Sequence, residues 1–489
     1  MDGIIAMLTN SGMWLFMFIG VIWGLLIGVM PGVGSMLAMA IILPFTFGMS
    51  MENALIVLMS TYTSCLFGGA ITACLLGIPG TGGNIITTLD GYPMTQQGKA
   101  GLSVGIAVLA SAIGQWTTSI MLLMLAAPFV AFALKFGPHE LFLIALWGFI
   151  ISVGVTSGNV FKNLVTGCIG IVVSCIGLDP VYGIPRLTFG SSYLLSGVPL
   201  IPAIMGIFGF GIVIQNIVEE KDLLSRVRQE TPKLSGFRTL FERSIIVIMI
   251  VSVVIGFIVG VIPGTGTIVA NLLVYGIFKR LSRRREEYGK GCYEGVFIAE
   301  ASNNAVHPGA VLMTVVLGIP GSSELVILLG AFTLHGLRCG PLLLVHNPQY
   351  LDAIFITFML SAFFSLVVVW STLRVWVKAI ETPKTFLWPL VLLMCIVGTY
   401  SIHNEIGDVV VALSLGVLAM LGEKRGFSKV PFIMGLVLGP ILEENFRLSL
   451  IMLPFHTFFT KPIYIGFWIV IIVTSYIFLK GVKNVQIKE

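Results

Sequence analysis

The stretch Gly24-Leu25-Leu26-Ile27-Gly28-Val29-Met30-Pro31-Gly32-Val33-Gly34 carries the pattern G-x3-G-x2-P-G-x-G. Gly256, Gly260, Pro263, Gly264 and Gly266 carry it again, 232 positions later. Further on, Leu76-Gly77-Ile78-Pro79-Gly80 returns as Leu317-Gly318-Ile319-Pro320-Gly321, 241 positions later. Two halves therefore share one plan, and each interrupts its apolar runs with Pro-Gly at the same two places. Pro removes a backbone donor and Gly relaxes the turn, so each break frees amides and carbonyls. At membrane depth such backbone survives only when it is buried in protein or lines a polar cavity. Paired breaks at corresponding places in two halves are the sequence mark of a transporter's binding site. The structural breaks are thus read at Pro31, Gly32, Pro263 and Gly264.

Composition supports a membrane chain. Of 489 residues 56% are hydrophobic and 10% charged, with a mean hydropathy of +1.00, whereas soluble domains are about a quarter charged. The first basic residue is Lys99, so no basic segment precedes the first apolar run and no cleavable signal peptide is expected. The net charge of +5 comes from basic residues clustered in a few loops, an orientation pattern rather than a nucleic-acid surface. The seven cysteines have no metal-ligand spacing and read as small packing residues.

Apolar runs near 11–30, 53–78, 102–134 (long enough for two shorter segments), 138–155, 161–178 and 199–218 fill the first half. Runs near 244–262, 294–319, 324–345, 350–377, 386–401, 408–421, 430–442 and 463–480 fill the second. This predicts an all-α polytopic membrane protein with roughly ten to fourteen segments, several of them half-helices or re-entrant pieces. The expected organisation is a first repeat over 1–218, a charged cytoplasmic linker over 219–243, and a second repeat with extra C-terminal helices over 244–489. The second repeat inserts Lys279-Arg280-Leu281-Ser282-Arg283-Arg284-Arg285 where the first, from Phe47 to Asn53, has no Lys or Arg. Basic loops mark the cytoplasmic side, so the two repeats are expected to be inverted. The alternative is a parallel duplication with drifting loop charges.

The 241-residue offset sets Thr61-Tyr62-Thr63-Ser64 opposite Ser302-Asn303-Asn304-Ala305, and Gly68 opposite Gly309. Each half then reads as a broken hairpin: a polar elbow, a Gly break, about ten apolar residues, then Gly-Ile-Pro-Gly. Thr81, Ser322 and Ser323 are suited to cap the helices that follow. Two helix starts facing one another can hold an anion without a buried Lys or Arg. Substrate contacts are therefore assigned to Pro79, Gly80, Thr81, Asn84, Asn303, Asn304, Pro320, Gly321, Ser322 and Ser323. Cation coupling is assigned to Asp90, Glu300, Ser302, Thr61 and Thr63. Glu300 lies in an apolar neighbourhood, where a carboxylate is a functional candidate by default. Asp90 also reads as an Asp-Gly turn at the membrane surface. His307 and His335 read as packed or interfacial. Oxygen ligands suit Na⁺ and a lone carboxylate suits H⁺; both remain open. No other metal and no cofactor is expected. The sequence has no Walker A loop, H-E-x-x-H or nucleophile elbow, so energy must come from an ion gradient.

At these residues the chain resembles the TctA family, the large membrane subunit of tripartite tricarboxylate transporters. The matching stretches are Gly28 to Gly34, Gly77 to Gly80, Asp90-Gly91-Tyr92-Pro93, Gly98-Lys99-Ala100-Gly101, Glu300 to Ala305, Gly318 to Ser322 and Leu334-His335-Gly336-Leu337. The resemblance implies an inner-membrane secondary transporter for citrate-like carboxylates, similar in plan to elevator-type carriers. It implies Na⁺ or H⁺ coupling, a small four-span membrane subunit and a periplasmic solute-binding protein. The chain departs from the family at Gly82-Gly83-Asn84, at Glu324 and at Arg338-Cys339, which bears on the substrate's identity and charge. Two other classes stand beside this one. A membrane-embedded enzyme would use Glu300, His307 or His335, but catalysis needs no second copy of the loop. A passive channel would not move substrate against a gradient.

Overall fold

The computed structural model describes residues 11–31, 33–179, 182–219, 234–235, 238, 242–380, 384–452 and 454–486. Gly32 lies outside them, as does most of the linker read at 219–243. The first half contains α1 (Ser11–Gly28), α2 (Gly34–Ile42), α3 (Met51–Leu76), α4 (Thr87–Gln96), α5 (Ala100–Ala133), α6 (Pro138–Val155), α7 (Val160–Ser174), α8 (Leu200–Ile204) and α9 (Gly211–Glu219). The second contains α10 (Arg243–Val261), α11 (Gly266–Leu281), α12 (Tyr293–Leu317), α13 (Leu325–Leu334), α14 (Pro341–His346), α15 (Gln349–Ile380), α16 (Lys384–His403), α17 (Ile406–Lys424), α18 (Lys429–Met452) and α19 (Pro462–Gln486). Among the described residues seven helices are long and apolar enough to cross a membrane, and six shorter apolar stretches accompany them. The protein is an all-α polytopic membrane protein. A two-stranded antiparallel hairpin, β1 (Gly177–Leu178) with β2 (Pro185–Arg186), is the one sheet among the described residues.

The run at 102–134 is one continuous helix, α5. The run at 324–345 is not a span. It divides into α13 and α14, because Gly336 and Gly340 interrupt it and Pro341 starts the next helix.

The duplication is visible in the packing. α1 lies on α3 as α10 lies on α12. A Cβ on Gly24 would fall on the Thr61 carbonyl and the Ser64 side chain; on Gly256 it would meet the Ser302 carbonyl and Ala305. Gly28 faces the Cys65 carbonyl and Gly260 the Val306 carbonyl. Gly68 faces Leu25 and Gly28, and Gly309 faces Phe257 and Gly260. Every pair keeps the two offsets read from the sequence. Small residues at these crossings let backbones approach closely, which drives helix association in lipid.

This use of Gly68 and Gly309 corrects the expected Gly break. α3 and α12 run unbroken through both, and through Pro308, so the polar elbows are polar helix faces. The helices end nine residues later, at Gly77 (φ 69°) and Gly318 (φ 72°), where the left-handed conformation favours glycine.

The two halves run in opposite directions. The C-terminal end of α3 sits by α4, where Thr95 Oγ1 donates to the Cys74 carbonyl at 2.8 Å. The same α4 reaches the N-terminal end of α12, because Gln97 Nε2 donates to the Lys290 carbonyl at 2.7 Å. At the other end α13 packs near Leu43, and His335 hydrogen-bonds the Thr46 backbone, just before α3 begins. The loop from 47 to 50 and the basic loop at 279–290 therefore lie at opposite ends.

α5 packs with α3 and α12, and α15 with α3 and α5, while α6, α7, α18 and α19 form a second group, with α18 on α6 and α7 and α19 on α6. The strand hairpin is tied to α18 by charge. Arg186 Nη1 meets Glu443 Oε1 at 2.6 Å, and Arg447 Nη2 meets Asp179 Oδ2 at 3.0 Å.

Ser50 is exposed at the start of α3 and Arg283 is exposed in the basic loop. Single cysteines at these positions, in a background lacking the exposed Cys168, should react with an impermeant thiol reagent from opposite faces of the membrane. Labelling from one face would contradict the inverted arrangement.

Candidate substrate and ion site

The loop after the first break folds against the second half. Thr81 N and Thr81 Oγ1 donate to Asn84 Oδ1, at 3.3 and 2.5 Å. This fixes the amide so that Asn84 Nδ2 donates to Glu300 Oε1 at 2.8 Å. Thr87 Oγ1 donates to the same carboxylate oxygen. Ser111 Oγ, from α5, donates to Glu300 Oε2 at 3.0 Å. Glu300 is fully buried on α12. One carboxylate thus joins the loop, α5 and α12. Each hydrogen bond to an ionised group contributes about 1.5–3 kcal/mol. The loop is held from its other side by Asn271 of α11, whose Nδ2 donates to the Gly83 carbonyl at 2.7 Å. Ser302 Oγ donates to Asn271 Oδ1 at 2.8 Å.

The loop after the second break folds against the first half. Tyr62 of α3 lies 3.5 Å from Ser322 through their hydroxyls, and its ring meets His307 edge-on with centroids 4.6 Å apart. Gly321 N donates to Thr314 Oγ1 at 3.0 Å, and the Gly321 carbonyl accepts from Gly264 N at 3.1 Å. Both breaks of the second half therefore touch. In the first half a Cβ on Gly80 would fall on the Gly28 carbonyl, so there too the second break closes on the end of the first.

Several buried polar atoms in this region make no hydrogen bond of ordinary geometry within the protein. They are both amide atoms of Asn303, Asn304 Oδ1, Thr61 Oγ1, Thr63 Oγ1 and both amide atoms of Gln115. Asn303 lies beside the Glu300 carboxylate and faces Gly83, where any side chain would collide with it. Buried polar groups left unpaired cost about 1–3 kcal/mol each, and a cluster of them signals a missing partner.

The expected site residues thus separate. Thr81, Asn84, Glu300, Ser302 and Asn303 meet around the first loop. Ser322 and Tyr62 meet at the second. Thr61 and Thr63 are buried on α3, and their hydroxyls hydrogen-bond to neither group. Ser322 and Ser323 make no cap on α13; the residue at its cap is Glu324, also without a side-chain cap bond. Pro79 precedes Gly80, whose Cα faces Gly69 and Thr72, and Gly321 faces Ala310 after Pro320. These glycines dock each break onto its own helix. Asn304 Nδ2 donates to the Glu300 carbonyl at 3.0 Å.

Asp90 lies apart from this cluster. It sits inside α4 rather than in a surface turn, and it is fully buried. Its Oδ1 accepts from the amides of Gly289, Gly291 and Cys292 at 2.8, 3.0 and 2.8 Å, and its Oδ2 from Tyr275 Oη at 2.7 Å. Four donors satisfy it, at the start of α12 where a helix favours negative charge. Thr87, Ser111, Asn271 and Gln115 were not singled out from sequence. Asn271, in an apolar helix, was a readable signal; a single Ser in α5 was not.

The family model described as "Tripartite tricarboxylate transporter TctA family" matches residues 14–434. The chain is 32% identical over 437 residues to the "Uncharacterized 52.8 kDa protein in TAR-I ttuC' 3'region" of Agrobacterium vitis, covering 89% of this chain and 86% of that protein. It is 31% identical over 196 residues to the "Uncharacterized protein in TAR-II ttuC' 3'region" of the same organism, covering 40% of this chain and 81% of that one. No solved structure matches. Matched over nearly its whole length, with both duplicated breaks inside the match, this chain belongs to the tripartite tricarboxylate transporter TctA family.

Proposed function

We propose that this chain is the carrier subunit of a tripartite system, importing citrate-like carboxylate anions across the cytoplasmic membrane. An Na⁺ or H⁺ gradient drives it. A periplasmic solute-binding protein delivers the substrate, and a small four-span membrane subunit completes the assembly. The observation that carries this reading is the exchange of loops between halves. The Asn84 and Ser322 loops each close on the polar helix of the opposite repeat, and Asn303, beside the first of them, has no hydrogen bond of ordinary geometry for either amide atom. Such an arrangement supplies donors for a carboxylate without a fixed positive charge, and it presents one site to two oppositely directed halves. Rocking or elevator-like displacement of one group of helices against the other then exposes the site alternately. A channel needs no such closed, duplicated loops.

Asn303 gives a test because its amide atoms make no hydrogen bond of ordinary geometry and only approach the Glu300 carboxylate. Asn303→Ala should leave thermal stability unchanged or slightly raised, since it removes unpaired buried groups. Uptake of labelled citrate by cells supplying the partner proteins should fall at least on the order of tenfold, the loss of one or two ligand hydrogen bonds. Undiminished uptake would move the substrate away from this cluster.

Gly80→Ala and Gly321→Ala should each abolish uptake, because the added methyl prevents the break from docking on its helix. Stability should drop by about 1–3 kcal/mol, the range for overpacking. Gly276→Ala, with open space around the added methyl, should transport normally. Normal uptake by both break variants would show that the breaks have no part in transport.

A further inference from the structure

A groove of about 290 Å³ lies between α7, α17 and α18, far from the Pro-Gly loops. Its walls are Ile169, Leu415, Leu418 and Phe432, and its floor is Ile207, on the π-helical turn Met205–Phe210 that joins α8 to α9. Packing fixes these walls. A Cβ on Gly170 would fall on the Phe432 carbonyl, and one on Gly206 on the Ala412 carbonyl, so α7 lies directly on α18 and the π-turn on α17. The groove opens outward, since Ile169 is 49% and Leu418 63% exposed. Beyond its mouth α7 and α17 expose Val165, Val172, Val410 and Val417, the apolar surface that a membrane helix turns to hydrocarbon chains.

The polar groups of the groove lie at one end. Of the polar side chains that line it, Thr166 donates to the Lys162 carbonyl of its own helix at 2.7 Å. The other two, Ser428 and Lys429, are adjacent, where α18 begins. The rim beside them is basic. Lys162 Nζ lies 5.3 Å over the Phe427 ring and donates to the Arg425 carbonyl at 2.6 Å. Lys429 Nζ meets Glu423 Oε1 at 3.2 Å. Lys424 and Arg425 are exposed, and among the described residues their side chains pair with no carboxylate. Lys162, Lys424, Arg425 and Lys429 thus stand against one carboxylate, Glu423.

This end is the one that carries the basic loop at 279–290. α7 leads into the strand hairpin, and α17 begins near Asp408, which accepts from Tyr193 just beyond that hairpin. Hairpin residue Arg186 shares a cavity with Arg338, which follows α13. α13 ends by Thr46, at the opposite end from the basic loop. The starts of α7 and α18 and the end of α17 therefore lie with the basic loop, on the side that such residues mark as cytoplasmic.

We propose that this groove binds one anionic diacyl phospholipid of the cytoplasmic leaflet, with an acyl chain along Ile169, Leu418 and Ile207 and its phosphate at Ser428, Arg425 and Lys429. A basic pocket between membrane helices on the cytoplasmic side is a phospholipid headgroup site. A free anion would leave the apolar groove unfilled. A zwitterionic lipid would bring a further cation to a rim that already has an excess of them. An apolar partner helix would fill the groove without answering its charges. Seated on Ile207, the chain braces the π-turn against α7 and α17. The proposal does not depend on the carrier reading.

The test uses the purified full chain, delipidated in detergent, and native mass spectrometry with equal concentrations of phosphatidylglycerol and phosphatidylcholine carrying the same chains. Wild type should retain one phosphatidylglycerol per chain in preference to phosphatidylcholine. The double variant Lys424→Gln with Arg425→Gln, at two exposed positions, should lose at least about tenfold of that preference, since each basic residue at a membrane surface contributes about fivefold. Ala419→Trp, which fills the groove, should abolish retention, while Ile472→Trp, on the exposed face of α19, should not. Circular dichroism checks that each variant is folded, and the wild-type preference does not depend on any variant. Equal retention of the two lipids by wild type, or an unchanged preference in the folded charge variant, would overturn the assignment. So would binding of inorganic phosphate with no lipid retained, which would make the rim a free-anion site. Lipid retention intact in Ala419→Trp, with the small membrane subunit no longer co-purifying, would make the groove a partner's seat and equally overturn it.

Discussion

Backbone that stops being helical in apolar surroundings must find partners for every group it frees, and that constraint organises this protein. Among the described residues, the Pro-Gly breaks at Gly80, Gly264 and Gly321 release amides and carbonyls inside the protein. Some are met locally, as where Thr314 Oγ1 accepts from Gly321 N. Others are met by the second break of the same half, as in the bond from Gly264 N to the Gly321 carbonyl. The first loop is finished by the opposite half, through Asn271 and Glu300. The first half therefore cannot complete its loop alone, and the two halves must pack together for that loop to be stable.

The same logic explains Asp90. A fully buried carboxylate needs donors, and the amides at the start of α12 need acceptors. Their meeting closes the far end of the first hairpin onto the loop that follows α11. The hairpin is therefore held at two places: Asp90 at its end, and Asn84 with Thr87 near its break. Of the two hairpins, the first makes most of the polar contacts with the opposite half, while the second meets the first half through apolar packing and the Tyr62–Ser322 contact.

Much of this was readable in the sequence. The offsets of 232 and 241 marked equivalent positions in the two halves, and the packing of Gly24 with Thr61 and Gly256 with Ser302 keeps them. The Pro-Gly breaks and the polar stretches were likewise plain in the pattern. What could not be read was which face each residue presents. Gly68 and Gly309 looked like breaks, because a glycine that packs and a glycine that turns have the same one-letter code. Asp90 looked like a surface turn, because its four donors lie nearly 200 positions away. Ser111 gave no signal at all: one small hydroxyl in a long apolar helix is ordinary until Glu300 is found beside it. The ion pairs joining Asp179, Arg186, Glu443 and Arg447 were invisible for the same reason of sequence distance.

The central claim is that the substrate sits where the two Pro-Gly loops meet the polar helices of the opposite halves. An experimental density map of the protein with Na⁺ and citrate bound tests it most directly. The account predicts density for the carboxylate within hydrogen-bonding distance of Asn303, bounded by the loops at Thr81–Asn84 and Gly321–Ser322. The protein also has a separate polar cavity of about 410 Å³, lined by Arg186, Arg338, Glu443 and Glu444. Citrate density in that cavity, with the space beside Asn303 empty, would contradict the account.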